Sequence, residues 1–572
     1  MRRLARIQKP DVLIIGAGPA GSTYATVLAR NGKKVLMIDA GPQFSQRPGR
    51  CVKNTFAYQR DLNQFSFMIQ GFLHPLSVAP GAGGPDYETD PIAWRPAGFP
   101  YSPVDYADRG AINPRQDADK NLGGESVAFG VGGMMQHWTA ATPRHHPDVE
   151  LYRFSKLSRA KNLALWDKLY TNGEALLGTN NKTFDTSIRN TLVREALRKH
   201  YAADLTFAPP QQYAVQNLPM AVRRGEKPNN NEFVFYTGTD NILSDVIDNS
   251  ECSGNLEILT ETRVKKLLVK GDTVIGAELE DLMEGECFTI EAGTYVVASG
   301  AVMSAWILWN SGIALDVVGR YIIEHPIAFT QIVLRQEIID SIDENSDWKK
   351  RWQMQRVRDK HAAKISGGKA KKTGQVSATI PDPLRIPQDD PPPNVWIPVS
   401  ETRPWHCQIH KDAFHYGALP PGIDDRLIVD LRWFCVIEPR KENRVIFEKD
   451  RFTSFGTAQP TFDFTLSEKE RARMHLMMQD MQGAASALGA YMPGSEPKFM
   501  PKGLALHIQG TTRMGGNPAD SVVDENLKVH QLRNLYVGGN GVIPTGNASN
   551  PTLTNVSLAL KAAHHILGIA YP

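Results

Sequence analysis

The fold is decided by the stretch DVLIIGAGPAG, residues 11–21, together with the residues that follow it as far as Asp39. Residues 11–15 carry an apolar run that predicts a short buried strand. Residues 22–31 predict a helix, and residues 33–38 predict a second strand. Strand, glycine-rich turn, helix, strand and acidic residue therefore follow one another as in a nucleotide-binding βαβ unit.

The three glycines and the acidic residue each have a physical role in such a unit. Gly16 makes the tight turn, Gly18 lets the backbone approach a pyrophosphate, and Gly21 lets the helix pack closely on the strand. The free N–H groups at the helix N-terminus attract the phosphates. Asp39 lies 18 residues after Gly21. It is placed to accept from ribose hydroxyls, and a carboxylate there disfavours NADP. The motif alone does not separate FAD from NAD.

Similar elements recur later in the chain. TYVVASGA (residues 294–301) predicts a buried strand that runs into a glycine turn, and NLYVGGN (residues 534–540) repeats the pattern. The second turn makes Gly539 and Asn540 candidates for cofactor contacts. Further strands are predicted at residues 257–260, 263–270 and 273–280, and a final helix at 555–566. The nucleotide-binding domain is therefore predicted to be assembled from separated segments.

A chain of 572 residues exceeds what one hydrophobic core usually supports. The sequence predicts an α/β fold (α+β overall), with a Rossmann-like nucleotide-binding domain and a discontinuous substrate-binding domain of β-sheet and helices. We assign residues 1–150, 230–335 and 500–572 to the first domain. We assign residues 151–229 and 336–499 to the second. Within the second domain, a Lys- and Pro-rich stretch at about 340–400 predicts an exposed lobe.

The composition excludes several functional classes. Hydrophobic residues make up 41% and charged residues 22%, and the net charge is +3, so nothing indicates a nucleic-acid partner. Five widely spaced cysteines indicate neither a metal site nor a disulfide framework. No run of about 18 apolar residues predicts a membrane span, and no leader pattern follows the first arginines. We therefore expect an intracellular protein, most simply a cytoplasmic one.

Four further segments are specific enough to compare with known families. They are GVGGMMQHWTAATPR (residues 130–144), WHCQIHKDAFHYG (405–417), HIQGTTRMG (507–515) and GNASNPTLT (546–554). With the N-terminal motif, the last two resemble the glucose-methanol-choline (GMC) oxidoreductases, FAD enzymes that oxidise alcohols. The first two narrow the resemblance to the pyranose 2-oxidase branch of that family.

The resemblance implies FAD as the cofactor and a His/Asn catalytic pair. Oxidation of an alcohol removes a hydride from carbon and a proton from the hydroxyl, and the proton needs a base within about 2.6–3.2 Å. His507 matches the family's base, and a neutral imidazole suits that task. Asn550 matches the partner whose amide helps to place the substrate oxygen.

The same branch carries its flavin on the histidine of the His-Trp-Thr motif. Carried over, this implies a covalent bond from His137 to FAD; the alternative is that His137 only packs beside the ring. Thr139 matches a residue near the reactive edge of the flavin. Residues 412–417 resemble the family's substrate loop. The implied sugar contacts are Gln408, Asp412, Phe414, Tyr416 and Arg432.

The function predicted from this resemblance is oxidation of D-glucose or a similar pyranose at C2, with O2 reduced to H2O2 or with a quinone as acceptor. His415 departs from the small hydroxyl residue common in fungal relatives, which leaves C3 oxidation of a free sugar or glycoside open. A quinone-dependent dehydrogenase, a flavoprotein lyase and a non-catalytic flavoprotein are further alternatives. Fungal relatives are often homotetramers, but the sequence leaves the oligomeric state open.

Overall fold

A computed structural model of the chain describes most of the two predicted domains. The described residues are 7, 9–55, 58–59, 68–69, 72–77, 113–202, 215–224, 233–314, 316–341, 384, 386–387, 390–410, 424–453 and 455–572. The predicted substrate-loop residues Asp412, Phe414 and Tyr416, and most of the lobe at 340–400, lie outside the described residues.

The helices of the described residues are α1 (Pro19–Arg30), α2 (Arg159–Leu177), α3 (Ile188–Tyr201), α4 (Thr239–Ile242), α5 (Ser244–Ile247), α6 (Gly300–Asn310), α7 (Gln336–Asp340), α8 (Glu468–Leu488) and α9 (Thr552–Leu567). The strands are β1 (Val12–Ile15), β2 (Val35–Ile38), β3 (Leu73–Pro75), β4 (Ser126–Ala128), β5 (Gln216–Asn217), β6 (Val222–Arg224), β7 (Val234–Tyr236), β8 (Leu256–Leu259), β9 (Thr262–Lys270), β10 (Thr273–Asp281), β11 (Cys287–Ile290), β12 (Thr294–Val297), β13 (Ile327–Leu334), β14 (Asn394–Ile397), β15 (Trp405–His410), β16 (Ile428–Cys435), β17 (Arg444–Phe452), β18 (Ala458–Asp463), β19 (Gly489–Tyr491), β20 (Lys498–Phe499) and β21 (Leu535–Val537).

A five-stranded parallel sheet, in the order β21-β12-β1-β2-β8, joins the beginning, middle and end of the chain. Strands β1, β2 and β21 are buried throughout, as expected where a parallel sheet is covered on both faces. Helix α1 packs against α9 on one face. This arrangement confirms the predicted Rossmann-like fold.

The turn after β1 has the geometry predicted from its glycines. Gly16 has a φ of +107°, a region that favours glycine, and an added Cβ would lie 2.4 Å from the carbonyl oxygen of Ala298. A Cβ on Gly21 would lie 1.9 Å from the carbonyl oxygen of Gly16. Both side-chain-free positions are therefore required for β1, α1 and β12 to meet.

A second, seven-stranded sheet has the order β19-β13-β16-β15-β14-β5, with β20 also paired to β13. Its pairs are antiparallel, and β15 and β16 are buried along their whole length. Helix α8 packs on β13 and β16. Strand β13 lies in the segment that we assigned to the nucleotide-binding domain, yet it pairs within this sheet. The domain boundaries themselves remain a prediction.

Most predicted elements shift by only a few residues. The strand predicted at 273–280 extends to Asp281, and the last helix begins at Thr552 instead of residue 555. Helix α1 begins at Pro19 rather than residue 22, because proline is well accommodated in a first helical turn. Within the described residues, no helix is both long and apolar enough to cross a membrane.

Two buried carboxyl groups connect loops that are distant in sequence. Glu125 is 3% exposed and Glu324 is 1% exposed, and their side chains hydrogen-bond to each other. The Glu324 carboxyl oxygens accept the backbone N–H groups of His325 at 3.1 Å and His507 at 3.0 Å. Burial raises the pKa of Glu125 to about 8, and it also raises the pKa of Glu324. The pair therefore keeps a proton at neutral pH.

We expect Gly16→Ala to weaken both the fold and cofactor retention. The new methyl group meets the Ala298 carbonyl, and alanine disfavours the positive φ, at a combined cost of about 2–5 kcal/mol. Gly32→Ala is the matched control, since Gly32 also has a positive φ but no atom within 4 Å of its Cβ position. Thermal unfolding and the amount of bound dinucleotide per chain measure the effect. Equal values for the two variants would contradict this account.

We expect Glu125→Gln to flatten the pH dependence of stability. A folded-state pKa above the unfolded value means that the fold loses stability as pH rises toward that pKa, here between about pH 5 and pH 8. The loss is about 1 kcal/mol per pH unit. Glutamine mimics the protonated partner, so the thermal midpoint of Glu125→Gln falls less over this range. In the surface control Glu251→Gln, the thermal midpoint should fall with pH as steeply as in the wild type. An equally steep fall in Glu125→Gln would refute the proton that we assign to the Glu125–Glu324 pair.

Candidate active site

A cavity of about 280 Å³ lies between the two sheets. Its walls include the ends of β1, β2 and β12, the N-termini of α1 and α9, and parts of β15 and β16. Ligands of open parallel sheets bind at the carboxyl ends of the strands. The antiparallel sheet closes the same space from the opposite side.

Residues predicted to hold the cofactor line this cavity. Gly16, Gly18, Asp39, Gly539 and Asn540 all border it. Gly18 precedes α1, so the free N–H groups of that helix face a ligand there. Gly21 does not border the cavity and has only the packing role given above.

The carboxylate of Asp39 is held mainly by backbone groups. It accepts the N–H of Ala17 and of Gly41 at 2.9 Å and that of Gly130 at 3.2 Å. Burial raises its pKa, while these backbone hydrogen bonds act in the opposite direction. Asp39 therefore fixes the glycine turns that surround the cavity, and contact with a ribose remains a prediction.

Several polar groups on the cavity wall await a partner. The indole N–H of Trp306 and the side-chain oxygens of Asn540 and Asn555 are buried, and they have no hydrogen-bond partner within the described part of the chain. Leaving buried polar groups unpaired costs about 1–3 kcal/mol each. A ligand with donors and acceptors along a flat ring, as in FAD, fits this wall.

His137 and Thr139 border the cavity where the sequence places the flavin. His137 directly follows a short 3₁₀ turn, Gly133–Gln136, and is 1% exposed. Burial, followed by the nearby charge of Lys53, lowers the pKa of His137 to about 3. Its imidazole is therefore neutral at physiological pH, and one of its two ring nitrogens carries no proton.

The structure brings His507 and Asn550 together although 43 residues separate them. His507 Nε2 lies 3.1 Å from Asn550 Nδ2, and both residues border the cavity. Burial, followed by the neighbouring rings of His325 and His406, lowers the pKa of His507 well below its usual value. A neutral imidazole beside an amide donor can accept a hydroxyl proton while the amide binds the hydroxyl oxygen.

Gln408 and Arg432 are cross-strand neighbours on β15 and β16 and reach the same cavity. Gln408 Nε2 donates to Asn550 Oδ1 at 2.5 Å. Phe434, two residues beyond Arg432, has its ring centroid 5.6 Å from that of His507. Polar and apolar groups therefore stand side by side next to the His/Asn pair.

Sequence reasoning missed the residues that support this pair. His325 Nδ1 lies 3.2 Å from His507 Nδ1, and its Nε2 lies 2.9 Å from Asn547 Oδ1. His406 accepts the indole N–H of Trp396 at 2.8 Å. Asn547 and His406 lie inside segments 546–554 and 405–417, whose resemblance to the family could have marked both residues as neighbours of the catalytic pair. Residue 325 is far from those segments and carries no such signal.

Comparisons with known proteins identify the fold and the family of the chain. Family models described as GMC oxidoreductase match residues 243–327 and 439–559, and a model described as FAD binding domain matches residues 9–56. A pyridoxine 4-oxidase from Mesorbium loti superimposes with a TM-score of 0.59 at 16% identity, covering 98% of this chain and 100% of that one. This likeness shows the shared fold.

Sequence relatives extend over nearly the whole chain. A pyranose 2-oxidase from Lyophyllum shimeji is 37% identical, covering 97% of this chain and 91% of the relative. A C-glycoside 3-oxidase from Arthrobacter globiformis is 28% identical, covering 97% and 94%. With the dinucleotide turn, the polar cavity wall and the His/Asn pair, these matches show that the chain belongs to the GMC oxidoreductase family of FAD-dependent enzymes.

Proposed function

We propose that this enzyme oxidises a D-glucose-like pyranose at C2 to the 2-ketosugar and passes the electrons to O2, giving H2O2, or to a quinone. The observation that carries the proposal is the His507–Asn550 pair at 3.1 Å, on a chain 37% identical over nearly its full length to a pyranose 2-oxidase. Two further pyranose 2-oxidases are 35% and 37% identical over 97–98% of the chain.

The two residues divide the work on the hydroxyl group. His507 Nε2 takes the hydroxyl proton because the ring is neutral. Asn550 Nδ2 donates a hydrogen bond to the same oxygen and stabilises the negative charge that develops there as the proton leaves. FAD, when bound, accepts the hydride from carbon. The carbon that carries the hydroxyl thereby becomes a carbonyl carbon.

Sugar recognition rests on the face formed by β15 and β16. A sugar has polar edges and an apolar ring face, so a site needs several paired polar groups beside an apolar surface. Gln408 and Arg432 supply polar groups, and Phe434 supplies apolar surface, all bordering the cavity. Our proposal adds Asp412, Phe414 and Tyr416 of the substrate loop as covering contacts.

A second candidate is oxidation at C3 of a free sugar or glycoside. Two C-glycoside 3-oxidases are 28% and 29% identical over 97% of the chain, and His415 departs from the fungal pattern within the substrate loop. Their lower identity favours the C2 proposal. Oxidation at either carbon would use His507 and Asn550 in the same way, because only the orientation of the sugar differs.

We expect His507→Ala to lower the limiting rate of flavin reduction by glucose under nitrogen by about 10²–10⁴-fold, since the base is lost. FAD content should not change, because a small side chain is removed from the substrate side. The control is His475→Ala on α8, which removes an exposed imidazole that does not border the cavity and should leave the rate of flavin reduction at the wild-type value. A His507→Ala enzyme with wild-type reduction would remove His507 from the mechanism.

We also propose that FAD is bonded covalently to His137, whose ring is neutral and therefore nucleophilic. The bond would join a ring nitrogen of His137 to the 8-methyl carbon of the flavin. One hydrogen would leave each partner, the two electrons would reduce the flavin, and O2 would reoxidise it with release of H2O2. After acid precipitation of the wild type, the yellow colour should stay with the protein. His137→Ala should release its FAD into the supernatant while the thermal midpoint changes little. Release of FAD from the wild type would show non-covalent binding and leave the proposed reaction untouched.

A further inference from the structure

The support of His507 forms a continuous chain of hydrogen bonds that ends on a backbone carbonyl. From that end, its members are the Thr545 carbonyl, Asn547, His325 and His507, and it continues to Asn550. His325 is 1% exposed and Asn547 is fully buried. Water therefore does not compete for the hydrogen bond between His325 and Asn547.

The orientation of the Asn547 amide is fixed by chemistry. Its Nδ2 lies 2.8 Å from the Thr545 carbonyl oxygen, which can only accept. Asn547 and Gln509 also exchange a reciprocal pair of amide hydrogen bonds at 2.9 and 3.0 Å. Turning the amide would place two carbonyl oxygens 2.8 Å apart. Asn547 therefore directs its Oδ1 toward His325.

This oxygen determines which nitrogen of His325 carries the proton. Asn547 Oδ1 lies 2.9 Å from His325 Nε2, and an amide oxygen can only accept, so that nitrogen donates. Gln509 Nε2 also lies 3.3 Å from His325 Nε2, but it donates to Asn547 Oδ1 at the shorter distance of 3.0 Å. Burial lowers the pKa of His325 to about 3, and a neutral ring carries one proton only. His325 Nδ1 is consequently bare and can only accept.

The bare Nδ1 of His325 lies 3.2 Å from His507 Nδ1, so His507 must donate from that atom. His507 then has its lone pair on Nε2, the atom that faces Asn550 Nδ2 at 3.1 Å. This is the nitrogen that must be unprotonated for His507 to act as the base. The Thr545 carbonyl, which can only accept, therefore fixes the donor and acceptor roles of Asn547, His325 and His507 in turn.

We propose that His325, held by Asn547, is a positioning residue that presets His507 as the tautomer protonated on Nδ1. The inference rests on the proposed role of His507 as the base that takes the hydroxyl proton. In hydrolases, presenting the wrong tautomer of the catalytic histidine lowers kcat by about 10⁴-fold. The same arrangement stabilises His507 after it has taken a proton, because His325 Nδ1 still accepts from it.

The direct test is histidine-selective ¹⁵N NMR of the holoenzyme without substrate, with His507 assigned from its absence in His507→Gln. We expect a pyrrole-type signal for His507 Nδ1 and a pyridine-type signal for Nε2. In His325→Met, whose thioether sulfur is only a weak acceptor, the two signals should move toward each other as both tautomers become populated. A protonated Nε2 in the wild type would overturn the proposal, even if His325→Met failed to fold.

The kinetic test compares His325→Met with the conservative variant His325→Gln, whose amide can accept from His507 and donate to Asn547. The limiting rate of flavin reduction by glucose should fall about 10²-fold in His325→Met, with the same apparent Kd for glucose. His325→Gln should recover most of that loss. A wild-type rate in His325→Met, or equal losses in both variants, would contradict a role in tautomer control.

The outcomes separate this inference from the proposed function. Suppose that glucose does not reduce the wild-type flavin while NMR shows that His507 Nδ1 is protonated. The sugar proposal then fails, and the role of His325 in setting the His507 tautomer stands. Suppose instead that glucose reduces the flavin while His507 Nε2 is protonated in the enzyme without substrate. The role of His325 in setting the tautomer then fails, and the proposed function stands.

Discussion

The hydrogen bond between Asn550 Nδ2 and His507 Nε2, at 3.1 Å, is the interaction on which the site depends. It places an amide N–H against the Nε2 lone pair of a neutral imidazole at the cavity wall, and it requires that Nε2 carry no proton. Burial and two neighbouring imidazoles keep the ring neutral, while the contacts through His325 decide where its one proton lies. The surroundings of His507 thus keep its ring neutral, and its hydrogen bonds decide which ring nitrogen is free of a proton and can act as the base.

The fold brings these residues together because its parallel sheet is assembled from three distant segments. Strands β1, β12 and β21 lie side by side, so the turns that follow them border one cavity. The antiparallel sheet adds Gln408 and Arg432 from adjacent strands. Glu324 links the two parts, since its carboxyl group accepts backbone N–H groups from the loops that carry His325 and His507. The loops that carry His325 and His507 are therefore joined by hydrogen bonds to one carboxyl group.

Sequence reasoning predicted the elements whose signals are local. The glycine turn at Gly16 and the strand before it follow from apolar patterning and from steric limits on φ, and the family resemblance added the separated partners His507 and Asn550. Two arrangements could not be predicted in this way: the buried carboxyl groups of Glu125 and Glu324, and the hydrogen bonds that join Asn547, His325 and His507. Their partners lie about 180–220 residues apart, and no periodicity relates them. Which backbone group a buried carboxyl or amide meets is decided by tertiary packing.

We propose that His507 takes a hydroxyl proton while the hydride leaves C2 of a pyranose. The most direct measurement is the rate of flavin reduction under nitrogen with D-glucose and with D-glucose deuterated at C2. We expect bleaching of the oxidised flavin band and a slower rate with the C2-deuterated sugar, because the C2–H bond breaks as the flavin is reduced. Equal rates for C2-deuterated and ordinary glucose, together with slowing by deuterium at C3, would contradict the assignment to C2.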